Sequence, residues 1–273
     1  GTVDGNSIPG PASPGASIGR GGTGSSSGAS SSASPSKERG KEIGLVVTAS
    51  DLHKAYREIQ QDYQSKAFDP KQNWAVLKQR NGIEVSMLET PDDPNCPYVR
   101  MSAKMPTSLA HCWNFLLLKR WDVTMPKMDP FYEGVEIHSS HEHDGVDLTL
   151  ARKRTKRILA FGKRDFTFIS VADKPLEDGT WVSGTVSVQT PALPRNKGYT
   201  RAFQDSIAFY KPISDDETEV TMVCRIDLND SAGGGGAIPM WLYVKTIGTT
   251  AAMSLSNMRK HLELELKEWT DKL

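Results

Sequence analysis

Three histidines and three acidic residues lie close together in one short segment, and these residue types could bind a divalent metal ion. The segment reads HSSHEHDGVD and contains His138, His141, His143, Glu142, Asp144 and Asp147. Imidazole and carboxylate groups are common zinc ligands. Asp144-Gly145, however, favours a tight turn between two strands, and alternate residues of a strand point to opposite faces. We therefore interpret the segment as a solvated hairpin turn and predict no metal site.

A second segment, ARKRTKRILAFGKRDF, carries a local positive charge that could contact an anionic membrane. It has seven basic residues and no acidic residue before Asp165. Each Lys or Arg near an acidic membrane surface contributes about 1 kcal/mol of attraction. The residues predicted to contact a membrane are Arg154, Lys156, Arg157, Ile158, Leu159 and Phe161. The alternative interpretation is a solvated charged hairpin in which Arg164 and Asp165 form a structural ion pair.

The cysteines and serines do not form a recognisable catalytic pattern. The chain has G-x-S-x-G matches only in its Gly/Ser-rich tail, at residues 15–19 and 24–28, and none in the predicted domain, where a strand-to-helix turn could hold the serine. Cys112 directly follows His111, and neighbours on a helix face different directions. Cys224 alternates with Met222 and Ile226 on the apolar face of a predicted strand. Three widely spaced cysteines fit neither a disulfide framework nor a zinc site, which favours a reducing, intracellular setting. We predict no enzymatic activity and no cofactor.

Four consecutive glycines precede the last helix of the chain, in the segment SAGGGGAIPMW. The glycines are Gly233, Gly234, Gly235 and Gly236. A phosphate-binding loop would need backbone N–H donors and a Lys-Ser pair, but Pro239 lacks the donor and Met240 and Trp241 follow. A surface linker remains an alternative. We predict a hinge, because glycine adopts many backbone conformations and a proline fixes where the rigid helix begins.

The composition separates a low-complexity tail from a folded domain. The chain has 33 basic and 33 acidic residues, so its net charge does not indicate a nucleic-acid partner. Residues 1–45 are mostly Gly, Ser, Pro, Ala and Thr and are predicted to form a disordered tail, whereas residues 46–273 are predicted to form one domain. The tail lacks the pattern of a secretory signal, and no apolar run is long enough to cross a bilayer.

The hydrophobic pattern predicts one helix, three strands, a helical segment, six strands and one long final helix. The first helix is predicted after Thr48 with Ser50 or Asp51 as its N-cap, because apolar residues follow at three- and four-residue spacing. A single second helix is predicted over residues 107–121. The pairs Asn81-Gly82, Asp144-Gly145 and Asp178-Gly179 indicate hairpin turns. This order predicts an α+β fold in which a curved antiparallel sheet of about nine strands wraps around the C-terminal helix and leaves a cavity suited to apolar ligands.

Several motifs, taken together, resemble a known family. They are KRDFTFIS, DGTWVSGTVSVQTPALPRNKGYTRAF, VTMVCRIDL and the glycine run with IPMWL, together with Trp121-Asp122. In this order they are similar to the START domains, the steroidogenic-acute-regulatory-related lipid-transfer family, over roughly residues 49–273. The resemblance implies a helix-grip fold whose C-terminal helix covers a tunnel for one sterol, phospholipid or ceramide. It also implies that this helix and an adjacent loop gate the tunnel, which favours the hinge.

Two ligand-specific patterns of this family are not matched. In cholesterol-binding branches an acidic residue and an arginine lie in the tunnel, where this chain has Ala151 and Ser170. In the phosphatidylcholine branch an aromatic cage and an arginine hold the headgroup. Phe166 fits one aromatic position, but Leu118 stands in place of the arginine and Lys153 in place of another aromatic residue. The resemblance therefore does not identify the lipid.

The sequence predicts a non-enzymatic domain that binds one lipid in an internal tunnel and transfers it between membranes. The predicted tunnel-lining residues are Phe166, Phe168, Val182, Val186, Met222, Cys224, Val244, Ile247, Ala251 and Leu255. We expect a monomer in the cytoplasm that contacts anionic membranes peripherally. Two alternatives stay open: a lipid-sensing module that regulates a partner, and a helix-grip enzyme of the cyclase or hydrolase type that acts on an apolar substrate.

Overall fold

The computed structural model describes residues 39–91, 93, 96–157, 162–173, 175–229 and 240–270, with side chains described for residues 244–267 of the last range. This part of the chain contains ten strands and four α-helices. The strands are β1 (Lys41–Glu42), β2 (Ala75–Arg80), β3 (Ile83–Leu88), β4 (Tyr98–Met105), β5 (Tyr132–His143), β6 (Val146–Thr155), β7 (Arg164–Asp173), β8 (Trp181–Gln189), β9 (Thr200–Pro212) and β10 (Thr218–Asp227). The helices are α1 (Ala49–Phe68), α2 (Leu109–Leu116), α3 (Trp121–Met128) and α4 (Met240–Thr270), and a 3-10 turn (Leu118–Arg120) joins α2 to α3.

The ten strands belong to one sheet. Nine of them follow the order β2-β3-β4-β10-β9-β8-β7-β6-β5, and their neighbours in this order are antiparallel. The short strand β1 pairs with β8 in parallel, and the start of β7 pairs in parallel with the start of β9. The predicted antiparallel sheet of about nine strands is therefore confirmed.

Two tight turns set the register of the hairpins at the edges of the sheet. Asn81 and Gly82, between β2 and β3, have φ angles of 54° and 67°. Asp144 and Gly145, between β5 and β6, have φ angles of 52° and 74°. Two consecutive residues with positive φ form a turn whose twist matches that of the flanking strands, and Asn-Gly and Asp-Gly adopt it readily. These two predicted hairpins are confirmed, and so is the third, since Asp178 and Gly179 lie between the antiparallel strands β7 and β8.

The first helix packs on one face of the sheet. The hydroxyl oxygen of Thr48 caps the helix by accepting a hydrogen bond from the Asp51 backbone N–H at 3.2 Å. Leu52, Tyr56 and Tyr63 are buried along one stripe of α1 and contact apolar residues of β6, β7, β8, β9 and β10. Their three- and four-residue spacing is the pattern that predicts this helix. One hydrophobic core therefore lies between α1 and the sheet.

The last helix lies on the opposite face of the sheet. Leu255, Met258 and Leu262 are buried against β3, β4, β9 and β10. Tyr210 faces α4, whereas its neighbour Phe209 faces α1, as expected for alternate residues of a strand that is covered on both sides. The sheet thus lies between two helices, and a cavity lies beneath the first half of α4.

Polar contacts hold the second half of α4 at both sides. The Arg259 guanidinium donates a hydrogen bond to the Asn81 carbonyl oxygen at 2.6 Å. The Glu265 carboxylate accepts a hydrogen bond from Arg120 at 3.2 Å and lies 2.9 Å from His111 Nε2. These contacts join α4 to the β2–β3 turn on one side and to the α2–α3 segment on the other.

Two local features differ from the sequence-based expectation. Lys41 and Glu42 pair with Val188 and Gln189 of β8, so the folded domain includes residues that were expected in the tail. Two residues are too few to show a periodic pattern, so the sequence does not reveal this strand. The second helix ends at Leu116, because Leu117 adopts an extended conformation with a ψ of 140°, and the chain then continues as the 3-10 turn and α3.

Candidate functional site

An internal cavity of about 240 Å³ lies between the sheet and α4. Its floor is formed by β6, β7, β8, β9 and β10, its roof by α4 and one side by α3. The apolar lining includes Met101, Leu116, Trp121, Met125, Met128, Phe131, Phe166, Ala208, Met222, Cys224, Ile226, Leu228, Ile247, Ala251 and Leu255. The polar lining includes Asp129, Lys153, Thr155, Ser170, Ser183, Thr185, Gln204, Ser206, Thr246, Thr250 and Ser254. A mostly apolar wall with a few polar groups is typical of a site for an amphiphilic small molecule.

The structure brings six of the ten predicted lining residues to this cavity. They are Phe166, Met222, Cys224, Ile247, Ala251 and Leu255. Phe168 lies behind the wall, where its ring packs on Trp121 with centroids 5.4 Å apart. Val244 is half-buried on α4 and does not line the cavity. The helix positions that line it are Thr246, Ile247, Thr250, Ala251, Ser254 and Leu255.

The prediction for Val182 and Val186 is wrong. Both side chains are completely buried on the opposite face of β8, in the core beneath α1. The cavity face of this strand carries Ser183 and Thr185 instead. The error is a shift of strand phase by one residue, which exchanges the two faces. It arises because α1 covers the more apolar face of β8, while the cavity faces the hydroxyl groups.

Lys153 and Gln204 form a polar pair within the cavity. The family resemblance places Lys153 at a headgroup position, but the sequence interpretation does not include it among the lining residues or pair it with Gln204. The Lys153 ammonium donates a hydrogen bond to Gln204 Oε1 at 2.9 Å and lies 4.7 Å from the centre of the Phe166 ring. Burial lowers the pKa of Lys153, and the charge of Asp129 partly opposes this shift. Lys153 lies two residues after Ala151, so the two side chains share one face of β6. The basic residues next to Lys153 suggested a solvated loop instead.

The thiol on the cavity wall is not activated. Burial raises the pKa of Cys224 to about 12, and it raises the pKa of Cys112 to about 12 and that of Cys96 to about 11. All three cysteines are buried and free of disulfide bonds. The nucleophilic form of cysteine is the thiolate, so these groups are unreactive at neutral pH.

The described residues of the basic segment lie next to one end of the cavity. Lys156 and Arg157 are exposed, whereas Arg154 is half-buried on β6. The Lys156 backbone N–H donates to the carbonyl oxygen of Phe131 at 2.7 Å, and Phe131 and the adjacent Thr155 line the cavity. Ile158, Leu159 and Phe161 lie outside the described residues. Within the described part of the chain, no helix is both long enough and apolar enough to span a membrane.

The ion pair expected within this segment has a different partner. The Asp165 carboxylate accepts two hydrogen bonds from Arg201, at 3.1 and 2.9 Å, rather than one from its neighbour Arg164. The Arg164 guanidinium donates to the Leu228 carbonyl oxygen at 2.7 Å. Both residues are buried, so they contribute to the structure of the domain rather than to a charged surface.

The histidine-rich turn meets α1, and its geometry does not favour a metal ion. His143 and Asp144 place their ligand atoms within 4.8 Å of a ring nitrogen of His53. Arg57 Nε, however, donates a hydrogen bond to His53 Nε2 at 3.1 Å. The neutral ring therefore carries its proton on Nδ1, the nitrogen nearest to Asp144, which cannot then bind a metal.

The predicted hinge residues, Gly233–Gly236, lie outside the described residues.

Solved structures with a similar fold include several lipid-transfer proteins. Human StAR-related lipid transfer protein 5 has 20% sequence identity and a TM-score of 0.67, and the similarity covers 80% of this chain and 99% of that chain. Human STARD10 has 15% identity and a TM-score of 0.62, with coverage of 83% and 84%. The lipid transfer and protein localization domain of human StarD13 has 17% identity and a TM-score of 0.55, with coverage of 74% and 95%. At this level of identity these similarities establish the fold.

The comparison with protein families gives a direct match. No curated protein sequence matches the chain significantly. The START-domain profile matches residues 55–268, which include most of α1, the strands β2–β10 and most of α4. The helix-grip arrangement of sheet and C-terminal helix agrees with this match. The chain therefore belongs to the START-domain family.

Proposed function

We propose that this protein binds one lipid molecule in the cavity beneath α4 and carries it between membranes without catalysing a reaction. The observation that carries the proposal is the mostly apolar cavity enclosed between the sheet and α4. Two solved structures of the same fold are named lipid transfer proteins, and this supports the same role here. The unreactive thiol of Cys224 on the cavity wall supports a binding role over a catalytic one.

Burial of the apolar part of a lipid supplies the binding free energy. Each Å² of apolar surface removed from water contributes about 25 cal/mol. The apolar part of a lipid is also shielded from water within a membrane, so the free energies of the lipid in the cavity and in the membrane are similar. The rate at which the cavity opens would then control transfer more strongly than the affinity for the lipid.

Opening of the cavity requires movement of the first half of α4. Six residues of this half, Thr246 to Leu255, line the roof of the cavity. The second half is held by Arg259 and Glu265, so we place the fixed end of the moving helix there. The glycines Gly233–Gly236, which precede α4 in the sequence, would serve as the hinge at its other end.

Docking on an anionic membrane would bring the cavity to its lipid source. Lys156 and Arg157 are exposed next to Phe131 and Thr155 of the cavity wall. Each basic side chain near an acidic surface would contribute about 1 kcal/mol. Arg154 and the apolar residues Ile158, Leu159 and Phe161 complete the proposed contact. This arrangement would orient one end of the cavity towards the membrane.

Blocking the cavity tests the proposal. Ala251 lines the cavity and is 7% exposed, so an indole in Ala251→Trp would occupy much of its volume. Met253→Trp is the matched control, because Met253 lies on the same helix and is 37% exposed. Transfer of fluorescent lipid from donor to acceptor vesicles should fall at least about tenfold for Ala251→Trp, because the indole occupies the space that the lipid needs. The control should transfer lipid at the wild-type rate.

The same assay separates the proposal from its alternatives. Equal transfer by both variants would show that the cavity is not the lipid site. Lipid binding without transfer by the wild-type protein would contradict the carrier role and identify a lipid-sensing module. Chemical conversion of the bound lipid, lost on substitution of one cavity residue, would identify an enzyme.

A further inference from the structure

Lys153 is a buried cation within a mostly apolar cavity, and this is an unusual place for an ammonium group. It lies on β6, opposite Phe166 of β7. Its side chain reaches the cavity, where Gln204 of β9 accepts one hydrogen bond from it at 2.9 Å. The ammonium also lies above the Phe166 ring, 4.7 Å from its centre.

The described partners of Lys153 leave part of its hydrogen-bonding capacity unused. An ammonium group has three N–H donors, and Gln204 accepts from one of them. Within the described residues, no carboxylate oxygen lies within 4.0 Å of the Lys153 nitrogen, although Asp129 lines the same cavity. The Asp129 carboxylate already accepts a hydrogen bond from the Phe131 N–H at 2.9 Å. A buried charge without an ionic partner is costly, and an incoming anion would remove this cost.

A row of hydroxyl groups continues from this pair across the floor of the cavity. Ser170, Thr185 and Ser206 are direct neighbours on β7, β8 and β9, and all three line the cavity. Ser206 lies two residues beyond Gln204 on the same face of β9, a separation of about 7 Å. No hydrogen bond joins these three hydroxyls to another described residue. They could serve an ester or hydroxyl group that lies next to an anionic headgroup.

We propose that Lys153, positioned by Gln204, binds the anionic group of the ligand, so that the cavity selects acidic lipids with a carboxylate or phosphate head over sterols and other neutral lipids. The inference rests on the proposed function and assigns its ligand class. The apolar wall takes the hydrocarbon part of the lipid, and the hydroxyl row takes its polar backbone. Gln204 accepts a hydrogen bond from the Lys153 ammonium and so holds it where the anionic group of the ligand can reach it.

Binding of four lipids to the full-length protein tests this assignment. The probes are oleic acid, phosphatidic acid, diacylglycerol and cholesterol, each presented in phosphatidylcholine vesicles. Diacylglycerol is the matched control for phosphatidic acid, because the two differ only in the phosphate group. We expect the wild-type protein to bind at least one of the acidic lipids about 10- to 100-fold more tightly than diacylglycerol, as expected for one charge-assisted contact. Selective binding of oleic acid would indicate a carboxylate ligand, and selective binding of phosphatidic acid would indicate a phosphate ligand.

Two variants test the role of the lysine itself. Lys153→Met removes the charge and keeps a long, unbranched side chain. Gln204→Glu keeps the shape of the amide and supplies Lys153 with an internal carboxylate. Both should lose the preference for acidic lipids by the same factor, measured in each protein as the ratio of the affinities for phosphatidic acid and diacylglycerol. A cooperative urea-unfolding transition shows that both variants fold.

The failure of this inference is distinguishable from the failure of the proposed function. Equal affinity of the wild-type protein for acidic and neutral lipids, unchanged by Lys153→Met, would overturn the assignment and leave the carrier function in place. Absence of binding to all four lipids would overturn both.

Discussion

At the scale of single residues, Asp205 is a buried acid whose ionisation should lower the stability of the domain. Its carboxylate accepts a hydrogen bond from the Ser187 backbone N–H at 2.7 Å. Burial raises the pKa of Asp205 from 3.8 to about 6, against the opposing effect of this hydrogen bond and of Arg225. The folded protein therefore binds more protons than the unfolded chain between these two pH values, and the free energy of unfolding falls as the pH rises through this window.

Asp205→Asn should remove this pH dependence. The amide keeps an oxygen that can accept the Ser187 hydrogen bond but carries no charge. We expect the variant to be more stable than the wild-type protein by up to about 3 kcal/mol at pH 7, because one pKa unit corresponds to about 1.4 kcal/mol. At pH 3 the difference should disappear. Urea unfolding at both pH values measures it, and a constant difference between the two proteins would contradict the assignment to Asp205.

Whether the sequence predicts that a residue lines the cavity depends on what packs against each face of its strand. Met222 and Cys224 lie on the cavity wall, on a strand where the apolar residues of one face alternate with mostly polar ones. On β8 the apolar residues Val182 and Val186 face α1, and the cavity receives Ser183 and Thr185. A cavity that binds an amphiphile can be the more polar of two buried faces, so hydrophobicity alone chooses the wrong face.

At the scale of elements, α4 acts as a cover that is fixed at one end. Its second half is held by Arg259 and Glu265, and its first half lies over the cavity. Gly248, within the first half, faces Leu77 of β2, and a Cβ atom at Gly248 would lie 3.9 Å from the Leu77 Cβ. This distance is within the range of roughly 3.5–4.5 Å found between the Cβ atoms of disulfide-bonded cysteines.

A disulfide between positions 77 and 248 should therefore lock the cover closed. We expect the oxidised Leu77→Cys, Gly248→Cys protein to retain bound lipid but to exchange it at least about tenfold more slowly, since exchange needs the helix to move. A reducing agent should restore the rate, and each single variant serves as a control. The native thiols should not interfere, because all three are buried. Unchanged exchange in the oxidised protein would show that α4 does not gate the cavity.

The helices and hairpins were predictable to different degrees. The hairpins at Asn81 and Asp144 follow from local turn preferences, and α1 follows from its apolar stripe. The division of the second helical segment at Leu117 was not predictable from the apolar spacing. The indole N–H of Trp121 donates a hydrogen bond to the Leu116 carbonyl oxygen at 2.9 Å across this turn, and periodicity does not record a side-chain contact of this kind.

At the scale of the whole molecule, the sheet separates two interiors with different tasks. The side beneath α1 is a packed core with completely buried residues such as Leu52, Leu148 and Ile169. The side beneath α4 combines a packed part around Leu262 with the cavity. The order of helices and strands was sufficient to predict this helix-grip architecture. The polar pattern within the cavity depends on residues brought together from four strands and α4, and it required the structure.

The identity of a lipid bound to the purified protein tests the central claim most directly. The full-length chain would be purified without detergent, extracted with organic solvent and analysed by quantitative mass spectrometry beside the Ala251→Trp variant. Our account predicts a stoichiometric amount of lipid, with an acidic headgroup, in the wild-type protein and little or none in the variant. An empty wild-type protein that also takes up no lipid from vesicles, or equal amounts of lipid in both proteins, would contradict it.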